Sequence, residues 1–318
     1  MDKENVGRAS SILTESVWEQ IFPNALSIYT YDNFLQAMAK FPKFCGEMKD
    51  ATDEAALQNA CKIELATLLA HIEHNSEALT KVRDSGDCTG VNCGRGALLL
   101  SGQEHYEDLS SIAFNGAHHD NEVLLDYPDL VATDGRLAFL SAFKVYMQPT
   151  AHAAPTMHDT ILGFYEPSSS ARNANVCTEC FGTTTNILNG NNECRSWNTT
   201  TAGADRAFFF NEFCDLFGAE CPAQSTQELN CKGQGSLSWG STGVNFYKYI
   251  APYWFTNKCY FVSWATQYSV FNSNDYRRCV CDRWDSQNAR CMDIDQYMPS
   301  EEDLPDPDPQ PDSEEEED

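Results

Sequence analysis

Cysteine is the residue type whose number and spacing most directly indicate chemistry in this sequence. The chain of 318 residues contains 14 cysteines, an even and high number that favours disulfides formed in an oxidising compartment. Cys177-x-x-Cys180 and Cys279-Val-Cys281 also have spacings found in zinc sites. No His-x₃₋₅-His pair or second C-x-x-C completes such a site, however. We therefore expect disulfides at these positions, with no metal site and no cofactor.

Other short motifs bear on the compartment. Asn198-Thr-Thr200 is an acceptor sequon for N-glycosylation, which fits a secreted protein. The first residues, Met1-Asp-Lys-Glu-Asn5, lack the apolar core of a signal peptide. We expect either a mature secreted form with an added Met1 or export by another route. No run of about 18 apolar residues is present, so no membrane-spanning helix is predicted.

The charge of the chain excludes one class of partner. The formal net charge is −26, and residues 301–318 contain eleven acidic and no basic residues. Such a surface repels the phosphates of nucleic acids, whereas neutral substrates, cationic proteins and divalent ions remain admissible. We predict that the Pro- and acid-rich segment 299–318 is disordered. It could bind a cationic protein, gather calcium loosely, or serve only to keep the protein soluble.

The hydrophobic pattern predicts a mainly helical protein. Hydrophobic residues make up 42% of the chain, enough for a sizeable core. Helical spacing is found over residues 11–22, 54–80, 122–147 and 203–217, and a further helix capped by Thr30-Tyr31-Asp32 ends at Pro42. Residues 83–97 and 165–200 are predicted loops. The run Leu98–Leu100 fits a short strand or the start of a buried helix.

The character of the sequence changes near residue 233. Residues 235–298 contain fifteen aromatic residues and four cysteines, so we expect 233–298 to form a small C-terminal module or elaboration. Its aromatic side chains either pack a disulfide-stapled core or extend a sugar-binding surface.

Four blocks in order resemble the plant-type class I/II chitinases of glycoside hydrolase family 19 over residues 11 to about 232. The first block is Leu13-Thr-Glu-Ser-Val-Trp-Glu-Gln-Ile-Phe-Pro23, the second is Tyr29-Thr-Tyr-Asp-Asn-Phe34 with Phe41-Pro42, and the third is Gly94-Arg-Gly96 through Leu100-Ser101. The fourth block comprises Tyr127-Pro-Asp-Leu-Val-Ala-Thr-Asp134, His158-Asp159, Thr185-Asn-Ile-Leu-Asn-Gly190 and Ala204-Asp-Arg206. The resemblance implies a mainly α, lysozyme-like bilobal fold and inverting hydrolysis of β-1,4-linked N-acetylglucosamine chains.

Position 75 departs from the family in a way that affects catalysis. An inverting glycosidase needs one carboxyl group as general acid and a second as general base. In the family the acid is a Glu that follows a His, eleven residues after another Glu. Glu64 and His74 match this pattern, but Asn75 stands where the acid is expected. An amide cannot donate a proton at any relevant pH. We expect the neighbouring Glu73 and Glu77 to be solvated surface charges on another helix face.

The resemblance assigns roles to further residues. Asp84 matches the second acid and is either the base or an ordinary loop residue, and Ser101 would position the attacking water. Expected substrate-binding residues are His74, His105, Asn189, Glu193 and Arg206, the last two as a charged pair beneath the cleft. A family Gln is replaced by Leu99 and a family Asn by His105. Cys194 and Cys231 match a family disulfide, and Cys88 and Cys93 could form a small local bridge.

Three functions are compatible with these features. The favoured hypothesis is a chitinase-like protein that binds chitin or a related glycan and is catalytically impaired. The alternatives are an active or residual inverting endochitinase, and a structural or interaction protein of an extracellular matrix that uses the acidic tail.

Overall fold

The computed structural model describes residues 4–51, 53–86, 89–114, 123–148, 155–235 and 237. Within these ranges the secondary structure is helical, and β-type pairing is limited to the isolated bridges Arg83–Arg95 and Arg95–Leu100. The helices are α1 (Glu4–Ile12), α2 (Glu15–Ile21), α3 (Tyr31–Met38), α4 (Glu54–Asn75), α5 (Gln103–Phe114), α6 (Val123–Asp126), α7 (Leu130–Thr133), α8 (Gly135–Met147), α9 (Met157–Ile161), α10 (Ser169–Asn173), α11 (Phe181–Glu193), α12 (Thr201–Phe217) and α13 (Thr226–Asn230). The prediction of a mainly helical protein is confirmed. The C-terminal module proposed at 233–298 and the acidic segment 299–318 lie almost entirely outside the described residues.

Helix boundaries follow local capping chemistry. Thr30 accepts a hydrogen bond from the backbone N–H of Asn33 and so caps α3, as the sequence predicted. Asp53 caps α4 in the same way through Ala56. Thr200 caps α12, and the left-handed Gly218 ends it. The predicted helix 203–217 is therefore present, with its first turn two residues earlier.

Several sequence-based boundaries are wrong. The predicted helix over 11–22 is two helices, α1 and α2, separated where Thr14 caps the second. The stretch 122–147, predicted as helical with a turn at Pro128, is divided into α6, α7 and α8; the turn at Pro128 is confirmed between α6 and α7, and the further break at Asp134 was not predicted. The predicted loop 165–200 contains α10 and the 13-residue helix α11. Leu98–Leu100 is neither a strand nor a helix start, but part of a tight turn closed by the paired backbones of Arg95 and Leu100.

The core is organised around α4 and α8. On α8, Phe139 and Phe143 pack against an aromatic cluster that includes Trp18 and Phe34. The ring centroids of Phe34 lie 5.4 Å from Phe139 and 5.2 Å from Phe143, within the range of favourable aromatic contacts. Helix α4 runs antiparallel beside α12, with Lys62 bonded to the Gly218 carbonyl at one end and Asn75 bonded to Arg206 at the other. The C-terminal end of α4 therefore meets the N-terminal half of α12.

Buried charges fix the position of α4. The fully buried Glu64 carboxylate accepts hydrogen bonds from His158 Nδ1 at 2.6 Å and from the Cys45 backbone N–H at 2.7 Å. Burial alone would lower the pKa of His158, but the charge of Glu64 and the hydrogen bonds that His158 donates to Glu47 and Glu64 raise it to about 10. His158 is therefore a cation at neutral pH, and the pair joins α4 to α9.

Disulfides, most of them formed by buried cysteines, join separate segments of the fold. The structure contains Cys45–Cys61, Cys177–Cys180, Cys194–Cys231 and Cys214–Cys221. Cys93 is also disulfide-bonded, while Cys88 lies outside the described residues, so the Cys88–Cys93 pairing stays a prediction. The same holds for Cys279 and Cys281. Among the described residues, no helix is long and apolar enough to cross a membrane.

Candidate active site

A cleft of about 1150 Å³ opens where the C-terminal end of α4 meets three other parts of the chain. These are the turn at 98–101 with the start of α5, the end of α11, and the first half of α12. The residues that the family resemblance singled out all line this cleft: His74, Asn75, Asp84, Leu99, Ser101, His105, Asn189, Glu193 and Arg206. Residues separated by 132 positions in the sequence are thus brought to one surface.

The side chain of Asn75 uses both ends of its amide. Its Oδ1 accepts a hydrogen bond from Arg206 Nη2 at 2.6 Å, and its Nδ2 donates to the backbone carbonyl of Leu98 at 2.9 Å. The last residue of α4 is therefore tied both to α12 and to the turn on the opposite side of the cleft. A carboxylate could accept from Arg206 but could not donate to the Leu98 carbonyl.

Arg206 is the centre of a buried polar network beneath the cleft. Its guanidinium makes two hydrogen bonds of 3.0 Å to the Glu193 carboxylate, and both side chains are at most 4% exposed. Glu193 Oε1 also accepts from Asn189 Nδ2 at 2.8 Å. Asn189 has non-helical backbone angles within α11, so the helix kinks at the residue that reaches this pair. The bidentate geometry fixes the orientation of all three side chains.

His71 completes the network from the preceding turn of α4. Its Nε2 lies 2.8 Å from the Thr184 hydroxyl, which itself donates to the Phe181 carbonyl, so Nε2 must carry the ring proton. Nδ1 can then accept from Arg206 Nη1 at 3.3 Å. Burial, together with the charges of Arg206 and His74, holds the pKa of His71 well below 6.5. His71 is therefore neutral, which leaves Arg206 and Glu193 as a balanced charge pair.

The candidate base and water-positioning residues lie on the other side of the cleft. Asp84 is exposed, and its Oδ2 accepts from the Gly94 N–H at 3.0 Å while the backbones of the two residues pair at 2.9 Å. A side chain on Gly94 would collide with Asp84 Oδ2, since a Cβ there would be 2.4 Å away. Ser101 is exposed at the end of the adjacent turn. Both side chains are accessible to a ligand.

His105 has an unusual neighbour. Lys144 Nζ lies 2.7 Å from His105 Nδ1 and 3.0 Å from Asp108, and Lys144 is only 1% exposed. Because an ammonium can only donate, Nδ1 must be the acceptor and Nε2 must carry the ring proton.

His74 lies on the opposite wall of the cleft, with its Nδ1 atom 3.9 Å from Oδ2 of Asp205 on α12. Burial and the Arg206 charge lower its pKa below 6.5, despite Glu193 and Asp205.

Glu73 is a cleft residue whose surroundings sequence reasoning missed. It was expected to be a solvated surface charge, but it lines the cleft and is half-buried. Its Oε2 atom is enclosed and has no hydrogen-bond partner among the described residues. This burial raises the pKa of Glu73 to about 7. The expectation failed because the cleft wraps around the end of α4, so two sides of this helix, not one, face it.

Comparison with known proteins shows which family this chain resembles. The family model for class I chitinases of glycoside hydrolase family 19 matches residues 84–231. The acidic endochitinase pcht28 of Solanum chilense is 31% identical over 251 residues, which cover 73% of this chain and 90% of the relative. An acidic endochitinase of Petunia hybrida is 33% identical over 211 residues, which cover 60% and 75% respectively.

The chain belongs to glycoside hydrolase family 19. Solved structures of family members share its fold. Chitinase C from Streptomyces griseus HUT6037 superposes with a TM-score of 0.51 at 22% identity, covering 67% of this chain and 79% of its own. A class IV family 19 chitinase from Zea mays gives a TM-score of 0.50 at 18% identity, covering 67% and 96%. The predicted lysozyme-like fold is thereby confirmed, and the protein is chitinase-like.

Two further predicted features have defined positions. Asn198 of the sequon is exposed in the loop between α11 and α12, so the position is open to modification. Cys177 and Cys180 are joined as a disulfide, with their sulfurs and a Glu228 carboxylate oxygen within 4.8 Å of one another. Sulfurs joined in a disulfide are not thiolates, so this group lacks the ligands that zinc requires.

Proposed function

We propose that this family 19 protein binds chains of β-1,4-linked N-acetylglucosamine in its cleft and hydrolyses them poorly or not at all. The observation that carries the proposal is the state of Asn75. Its amide occupies the expected position of the general acid and is held by Arg206 and the Leu98 carbonyl. General acid catalysis contributes roughly 10²–10⁴-fold to rate, so its loss leaves a slow enzyme at most.

Retention of the binding groups supports the first half of the proposal. The cleft keeps Ser101, Asn189 and the buried Arg206–Glu193 pair, and none of these depends on residue 75 being ionised. Amide and hydroxyl groups recognise sugar hydroxyl and acetamido groups by hydrogen bonding. Disulfides and the exposed sequon at Asn198 support secretion as part of the same proposal. An active endochitinase remains the alternative that the following experiment separates.

Restoring the acid tests the proposal. We expect Asn75→Glu to raise the hydrolysis rate of a soluble chitin hexamer by roughly 10²–10⁴-fold, because a proton donor returns to the cleft. Asn75→Gln is the matched control, since glutamine has the length of glutamate but no acidic proton. Hydrolysis is followed by chromatography of the products, and binding of the hexamer by calorimetry on the same preparations.

The possible results separate the two halves of the proposal. Fast wild-type hydrolysis, within tenfold of an Asn75→Glu variant that turns the hexamer over readily, would show that the protein is not impaired. Equally slow hydrolysis by both proteins would show that the missing acid does not by itself account for the impairment. Absence of hexamer binding by both the wild type and Asn75→Gln would remove the glycan-binding assignment.

A further inference from the structure

Glu73 is the one carboxyl group of the cleft with an enclosed oxygen that lacks a partner, among the residues that the structure describes. Its Oε2 is shielded from solvent and makes no hydrogen bond, while the residue as a whole is half-buried in the cleft wall. A carboxylate oxygen in such a place costs free energy, because desolvation disfavours the charged form. The neutral carboxylic acid avoids this cost and gains one O–H donor.

The charged neighbours of Glu73 do not compensate its charge. Eight other titratable or charged side chains line the same cleft. They are His74, Glu77 and Lys81, which follow Glu73 in the chain, Asp205 and Arg206 on α12, Glu193 on α11, and Asp84 and His105 on the opposite side of the cleft. Lys81 lies 3.7 Å from Glu77, and Arg206 is bonded to Glu193. His74 lies beside Asp205. The pKa of Glu73, about 7, is raised by burial.

We propose that Glu73 is a ligand-binding residue of the cleft that acts as a neutral carboxylic acid: its enclosed Oε2 disfavours the charged form, and Oε1, the oxygen that is not enclosed, carries the proton and donates it in a hydrogen bond to an oxygen of the bound glycan. The proposal rests on the proposed binding of N-acetylglucosamine chains, whose acetamido carbonyl and hydroxyl oxygens accept such bonds. Ionisation removes the donor and places an unpaired negative charge against these oxygens. Binding of the chain is therefore coupled to retention of a proton on Glu73.

The sign of the coupling follows from linkage. If the bound state requires the protonated acid, affinity is highest below the pKa of Glu73 in the free protein and falls as pH rises through about 7. Above that pH the affinity can fall by at most about tenfold per unit. Since the pKa of His74 is lowered from 6.5, this imidazole is neutral throughout the window above pH 6.5.

Calorimetric titration of chitin hexamer into the full chain at pH 5.5, 7 and 8.5 tests the proposal. We expect the wild-type affinity to fall about thirtyfold between pH 5.5 and 8.5, the value for a strictly required proton with a pKa of about 7. Glu73→Gln carries a neutral donor at every pH, so its affinity should stay near the wild-type value at pH 5.5 and change less than about twofold over the range. Glu73→Ala should bind weakly at all three values. Glu212→Gln, on the exposed side of α12 away from the cleft, is the matched control and should keep the wild-type profile.

A second measurement does not depend on the ligand. Above pH 7 the free protein must bury part of an ionised Glu73, which lowers the free energy of unfolding of the wild type. Glu73→Gln should therefore exceed the wild type in free energy of unfolding at pH 8.5, and the difference should be smaller at pH 5.5, as measured by urea unfolding. A wild-type binding profile that is flat with pH, or equal to that of Glu73→Gln, overturns the role of Glu73 while leaving the glycan-binding proposal intact. If neither the wild type nor any variant binds the hexamer, the glycan-binding proposal is overturned instead. If the wild type and Glu73→Gln are also equally stable at pH 8.5, burial does not destabilise the ionised form of Glu73.

Discussion

At the scale of single residues, the buried polar side chains beneath the cleft form one hydrogen-bonded network. Arg206 joins Glu193, His71 and Asn75, and Asn75 extends the network to the Leu98 carbonyl. The sequence predicted the Arg206–Glu193 pair through the family resemblance. It did not predict His71, although a residue four positions before Asn75 lies on the same face of a helix. The Leu98 carbonyl could not be predicted, because no side chain marks it.

Removing Arg206 tests how strongly this network contributes to the fold. We expect Arg206→Gln to lower the free energy of unfolding by about 3–5 kcal/mol, because Glu193 would remain as a buried, unpaired charge. Urea denaturation at pH 7 provides the measurement. The double variant Arg206→Gln with Glu193→Gln leaves no buried charge, so its loss should be clearly smaller than the sum of the two single losses. Additive losses would mean that the two groups do not interact.

At the scale of elements, the end of α4 determines where the cleft residues stand. The helix stops at Asn75, five residues before the predicted end, and Glu77, Ala78 and Leu79 then adopt positive φ angles of 52°, 58° and 60°. Three consecutive left-handed residues that are not glycine are costly. No pattern of hydrophobic residues reveals such a turn, which explains why the helix was predicted to continue to residue 80. By contrast, the N-terminal caps of α3 and α4 can be recognised in the sequence, because Thr30 and Asp53 are of residue types that commonly occupy the N-cap position.

This turn leads to a prediction about stability. Ala78→Gly should raise the free energy of unfolding by about 0.5–1 kcal/mol, because glycine adopts positive φ without the steric cost that alanine has. Gly218→Ala supplies the opposite case. Gly218 has φ 57°, and the nearest atom to an added Cβ is Lys62 Nζ at 4.0 Å. Its substitution should therefore cost about 1 kcal/mol through backbone strain alone. Thermal and urea unfolding of both variants would show whether the signs differ as expected.

At the scale of the whole molecule, disulfides tie together parts of the fold that lie far apart in sequence. Cys194 follows the Glu193 end of α11, and its partner Cys231 follows α13, a separation of 37 residues that spans α12. Cys214–Cys221 closes a separation of only 7 residues. The first pairing was inferred from the family, whereas Cys45–Cys61 and Cys214–Cys221 could not be assigned from spacing because many pairings satisfy the same count.

The two bridges should differ in what they contribute. Removing Cys194–Cys231 by paired serine substitutions should lower the free energy of unfolding by about 4 kcal/mol, and removing Cys214–Cys221 by about 2.5 kcal/mol, from the entropy of loop closure in the unfolded chain. Loss of the longer bridge also frees the end of α11, so hexamer affinity should fall in that variant and not in the other. A larger loss of stability from the shorter bridge would contradict the loop-length account.

The amide of Asn75 affects how the cleft responds to a change of pH. Unlike a glutamate, it neither gains nor loses charge, so its hydrogen bonds to Arg206 and to the Leu98 carbonyl do not depend on the ionisation of residue 75. At this position, therefore, the cleft presents the same neutral amide to a carbohydrate at every pH. Any dependence of glycan binding on pH must then come from titratable side chains of the cleft such as Glu73 and His74.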